Sequence, residues 1–94
     1  MTTAYEIASH IRSRHEFSGE IQMHKLLYYA QAWSLAWDGV PLFDDRIEAW
    51  KNGPVVPSLR HTTVMADEDV RLTDQQKANI DAVLAHYADN SGTA

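Results

Sequence analysis

Between Ile21 and Trp37 the apolar residues fall into two stripes. At about 100° per residue, Met23, Leu26, Tyr29, Ala30, Trp33 and Trp37 share one side of a helix, while Ile21, Tyr28, Ala32 and Leu35 lie roughly opposite. A helix apolar on two sides predicts burial between other elements of a core, the alternative being a surface helix with an apolar patch. Gln22, His24, Gln31 and Ser34 do not gather into one wide solvent face, which favours the buried central helix. The pattern stops at Asp38-Gly39. Glycine just past the last turn accepts the left-handed conformation there, and Pro41 cannot continue the hydrogen-bond ladder.

An extended excursion follows, in which Ile47 and Ala49 alternate with Arg46, Glu48 and Trp50. Asn52-Gly53 is a tight-turn signal because both residues tolerate positive φ, and Pro54 removes a ladder donor right after it. The prediction is a short hairpin at an edge, with Val55 and Val56 able to pair back. Pro57 suits the first turn of a helix, and a helix running to about Ala66 is expected, although Leu59, Thr63 and Met65 make a poor stripe.

Two further helices carry their own start signals. Thr3-Ala4-Tyr5-Glu6 has the form of a capping box, followed by Ala4, Ile7, Ala8 and Ile11 at helical spacing and a polar run from Arg12 to His15. Thr73-Asp74-Gln75-Gln76 repeats the logic, with Ile80, Val83, Leu84 and Tyr87 as the core stripe of a last helix. Together these elements predict a mainly α fold, a small helical bundle around a buried central helix with a short β-hairpin or extended loop inserted. Residues 1–90 are expected to form a single domain and residues 91–94 a flexible tail.

The order KLLYYAQAW, then PLFDDRIEAW, then NGPVVPSL resembles the Panacea domain, the SocA-like and GepA-like family of bacterial and phage proteins. The likeness runs from about residue 21 to residue 59. Lys25, Leu26, Leu27, Tyr28, Ala30 and Gln31 match the family's helix; Pro41, Leu42 and Phe43 match its loop; Ala49, Trp50, Gly53, Pro54 and Val55 match its turn. Arg60 stands where family members commonly carry a tyrosine, and their usual further helical segment is missing, so the resemblance implies a short version. It also implies an antitoxin-type domain that neutralises a toxin by direct protein contact. Alternatives are a proteolytic adaptor or a phage-encoded inhibitor of a host defence system (anti-CRISPR-like).

A chain of 94 residues buries only about 60–70% of its unfolded surface, so little core is spare. The absence of cysteine excludes a disulfide framework, a thiol nucleophile and a thiolate metal site. No run of about eighteen apolar residues and no signal-peptide layout is present, so no membrane role and a cytoplasmic location are expected. A net charge of −5 with scattered basic residues argues against nucleic acid. Arg12, Arg14 and His15 read as a solvated helix end whose cations suit the macrodipole.

No phosphate-cradling glycine loop, nucleophile elbow or H-E-x-x-H pair occurs. His10, His15, His24, His61 and His86 lack the spacing that lets one helix face grip a metal. Asp44, Asp45 and Glu48 can be imagined as an acid/base set, but Asp44-Asp45 reads better as a turn and Glu48 as a strand residue or a partner for Lys51. Asp67-Glu68-Asp69 reads as a solvated turn. The expectation is no catalysis, no cofactor and no metal, leaving recognition of a protein partner as the main class of function, with a homodimer or self-associating structural protein as another.

Nine aromatics exceed what a thin core easily hides, and such residues are the usual anchors of interfaces. Trp33 and Tyr28 are assigned to the core. The expected protein-binding residues are Tyr29, Trp37, Phe43, Trp50, Lys51, Asn52 and Arg60, with the four aromatics of that set partly exposed near the loop and hairpin.

Overall fold

A computed structural model describes residues 2–17 and 19–87; the tail expected at residues 91–94 lies outside them. Helix α1 (Ala4–Arg14) begins as its sequence predicts. The Glu6 N–H donates to the Thr3 hydroxyl at 3.2 Å, and the Thr3 N–H donates to the Glu6 carboxylate at 2.9 Å. Ala4, Ile7, Ala8 and Ile11 are all fully buried. Helix α2 (Glu20–Asp38) ends at Gly39, which takes the left-handed conformation at φ 72°. Strands β1 (Glu48–Trp50) and β2 (Gly53–Val55) form an antiparallel hairpin, followed by a single 3-10 turn (Pro57–Leu59) and helix α3 (Asp74–Tyr87). Thr73 and Gln76 cap α3 reciprocally, at 3.1 and 2.8 Å. The fold is mainly α, as expected, with the hairpin and α3 both packed on α2.

Three local expectations are corrected. The hairpin turns at Lys51-Asn52, one residue earlier than the Asn-Gly signal, because Trp50 pairs with Gly53. The pair closing a two-residue turn exchanges hydrogen bonds, and Pro54 has no N–H to give, so Gly53 must take that place and Pro54 moves opposite Ala49. Second, no helix runs from Pro57 to Ala66. His61 adopts a left-handed φ of 64° directly after the 3-10 turn, and the chain continues extended over α1. There Met65 N–H donates to the Tyr5 hydroxyl at 3.3 Å, and Asp67 N–H to the Ser9 carbonyl at 3.2 Å. Leu59 and Val64 reach the core from this segment without a helical stripe.

The third correction concerns α2. Its Met23, Leu26 and Ala30 are buried as predicted, with Leu27 beside them, but the second stripe is not: Ile21, Tyr28 and Leu35 are 52%, 44% and 49% exposed. The domain has too few elements to cover both sides of its longest helix. The side chains that displace this stripe from the interior are polar. Gln31 Oε1 accepts from Leu42 N–H at 2.7 Å and Phe43 N–H at 3.2 Å, while its Nε2 donates to the Phe43 carbonyl at 3.0 Å. The Ser34 hydroxyl donates to the Val40 carbonyl at 2.8 Å, and His24 Nδ1 accepts from Val56 N–H at 3.0 Å. These residues stitch the segment between α2 and the 3-10 turn onto the helix, which satisfies backbone groups that burial would otherwise strand.

Candidate functional site

The hairpin places its tip beside the start of α2. Between them lies a cavity of about 210 Å³, walled by Glu20, Ile21 and His24 from the helix, by Trp50, Lys51, Asn52, Pro54 and Val55 from the hairpin, and by Arg60. The Arg60 guanidinium stacks 4.5 Å from the centroid of the Trp50 ring. At that distance the ring's negative face attracts the cation, a contact of about 0.5–1 kcal/mol at an exposed site. Trp50 N–H donates to Glu48 at 2.8 Å, and Arg46 pairs with the other oxygen of Glu48, also at 2.8 Å. Glu48 is thus a residue of strand β1, the first of the two places expected for it, and is held by Arg46 and Trp50 rather than by Lys51.

The electrostatics of the cavity follow from which charges are already satisfied. Among the described residues, no ion pair includes Lys51 or Arg60. The one carboxylate on the wall, Glu20, faces His24 Nε2 at 3.4 Å. Because His24 Nδ1 accepts from Val56, the ring hydrogen sits on Nε2 and points at Glu20. The cavity therefore combines an aromatic ring, two unpaired cations, an amide and an apolar wall. It can bind and orient a group, but it contains no nucleophile paired with a base.

The seven expected binding residues separate into three places. Trp50, Lys51, Asn52 and Arg60 meet at the cavity. Tyr29 and Trp37 sit instead at the α2–α3 seam. There Tyr29 stacks on Tyr87 at 4.1 Å between centroids, Trp33 lies 4.3 Å from Trp37, and the Trp33 N–H donates to the Tyr87 hydroxyl at 3.1 Å. Trp33 is partly buried, in keeping with its core assignment, whereas Trp37 is 57% exposed. Phe43 corrects the expectation of partial exposure. It is 1% exposed, because the Gln31 amide grips its backbone on both sides and turns the ring inward. Tyr28 is the opposite correction, a residue assigned to the core that stands on the open stripe.

Sequence reasoning missed Ile21, Glu20 and the open stripe of Ile21, Tyr28 and Leu35, which starts at the cavity and runs up α2. No signal in the sequence marks the stripe as open, because a covered helix face has the same spacing.

The imagined acid/base set is structural. Asp45 accepts from the Ala4 N–H at 2.8 Å, closing the N-terminus of α1, and its other oxygen accepts from the Ser58 hydroxyl. Burial by itself would raise its carboxyl pKa, but the hydrogen bonds from Ser58 and the Ala4 N–H outweigh that and hold it below the usual value. The Asp69 N–H donates to Asp67 at 2.9 Å, a local turn as expected. Among the described residues, no group of His, Asp and Glu is placed to hold a metal ion, and no helix is long and apolar enough to cross a membrane.

Residues 23–94 match the family model described as antitoxin SocA-like, Panacea domain. The match spans well over half of the chain, and the chain belongs to this family. Among curated proteins and solved structures no match is found.

Proposed function

We propose that this member of the SocA-like Panacea family is a non-enzymatic antitoxin that neutralises a toxin protein by direct, stoichiometric contact in the cytoplasm. The observation that carries the reading is the open apolar stripe of Ile21, Tyr28 and Leu35 leading into the cavity of Trp50 and Arg60. Exposed apolar residues in line along a helix beside an aromatic–arginine pair have the make-up of an interface, where Trp, Tyr and Arg carry most of the energy. Membership of an antitoxin-like family supports a toxin as the partner. Covering the toxin's working surface requires no turnover, and the absence of a paired nucleophile and base around the cavity is consistent with that.

The test is co-expression with the product of the adjacent open reading frame, read as growth. The neighbouring product is expected to arrest growth alone and to be harmless with this chain. A harmless neighbour, or arrest that this chain does not relieve, contradicts the reading.

A further inference from the structure

We propose that the cavity beside the hairpin is an anchor site for a carboxylate of the partner polypeptide, an Asp or Glu side chain flanked by apolar residues. This deepens the partner-binding reading and rests on it.

The charge of the cavity carries the inference. The chain holds 13 acidic residues against 8 basic ones, yet two of the basic residues line one small cavity together with a single acid. Arg60 and Lys51 have no ion-pair partner among the described residues, while the nearest hairpin acid, Glu48, is taken by Arg46 and by the Trp50 N–H. The Arg60 guanidinium carbon sits 4.5 Å from the Trp50 ring centroid, and no carboxylate among the described residues pairs with it. A guanidinium offers paired N–H donors in a geometry that matches a carboxylate. Lys51 adds a second cation and Asn52 an amide donor on the same wall. Ile21, more than half exposed, and Val55 supply apolar surface for the methylenes beside the charge.

Size and charge narrow the occupant. A volume of about 210 Å³ is room for one side chain. Two cations against one carboxylate leave the wall with a net positive charge, which favours an anionic occupant. The net charge of −5 opposes a nucleic-acid backbone outright.

The probes are two capped peptides, acetyl-Ala-Leu-Asp-Leu-Ala-amide and its Asn counterpart, together with inorganic phosphate. Each is titrated into the full ¹⁵N-labelled chain while the Trp50 indole N–H signal is followed. The Asp peptide is expected to move this signal and saturate in the millimolar range. The Asn peptide is expected to bind at least about fivefold more weakly, and Arg60→Gln to lower the Asp peptide's affinity by a similar factor with the rest of the spectrum unchanged. Lys51→Gln provides a second variant at the exposed turn should Arg60→Gln disturb the fold. Equal binding of the two peptides, no movement of the Trp50 signal, or tighter binding of phosphate overturns the proposal. A chain that fails these titrations but still relieves toxin arrest loses the carboxylate anchor and keeps its partner; one that passes them but relieves nothing keeps the anchor and loses the toxin.

Discussion

The α2–α3 seam and the hairpin cavity are built from the same residue types and end in opposite states. At the seam, Tyr29, Trp33 and Tyr87 satisfy one another through a stacked pair and a hydrogen bond between an indole N–H and a phenol. At the hairpin, Trp50 meets a cation on its face and open space beside it, and the cation has no acid of its own. An abundance of aromatics therefore does not by itself mark an interface. What distinguishes the two regions is how much of each group's bonding capacity the chain itself consumes. On this criterion Tyr29 drops back toward a structural role and Arg60 moves forward, while Trp37, 57% exposed, stays among the open residues.

The strongest challenge to the comparison comes from a third aromatic. Phe43, fully enclosed beside the Gln31 clamp, is expected to cost about 3–5 kcal/mol when changed to alanine, a large share of what a small domain has. Urea denaturation of Phe43→Ala checks this, and a loss of function in that variant reports unfolding rather than a lost contact. Next in size, Tyr87→Ala removes the Tyr29 stack and the acceptor for Trp33, and about 2–3 kcal/mol of stability should go with them in the same assay.

A smaller effect is pH-dependent. Burial, first, and then the nearby Arg14 and Lys77 cations lower the His10 pKa below its ordinary 6.5, with Asp81 pulling the other way. A lowered folded pKa means that the unfolded chain takes up the proton first. Stability is then fully present above pH 6.5 and falls as the pH drops below it, by up to about 1.4 kcal/mol per pH unit. The Arg14 Nε–H donates to His10 Nε2 at 3.2 Å, and protonation removes that acceptor. His10→Gln should flatten the slope below pH 6.5, measured by denaturation at each pH. The smallest change is expected at the hairpin, where Arg60→Ala should cost about 1 kcal/mol or less of stability while weakening partner capture.

Much of the fold was legible in the sequence because its signals are local. The Thr3 and Thr73 caps, the end of α2 at Gly39 and the apolar spacing of α1 and α3 depend on residues within a few positions of one another. What stayed hidden depends on distant partners. The partners of Gln31, Ser34 and His24 cannot be read from the sequence, because the loop they bind comes from farther along the chain. The turn position hinged on the missing N–H of Pro54, and the fate of Phe43 on an amide twelve residues earlier. For the site, Trp50, Lys51, Asn52 and Arg60 were found from the family pattern and the turn signal. Their partner across the cavity, Ile21, was not, because a stripe of spacing seven is the same in sequence whether the fold covers it or leaves it open.

The most direct test is amide hydrogen exchange of the chain alone and with the product of the neighbouring reading frame, the proposed toxin. New protection is expected in Glu48–Val55 and in α2 around Ile21 and Tyr28, where the cavity lies and the open stripe starts. Protection confined to α3 and the α2–α3 seam, with the hairpin exchanging as in the free chain, would contradict it.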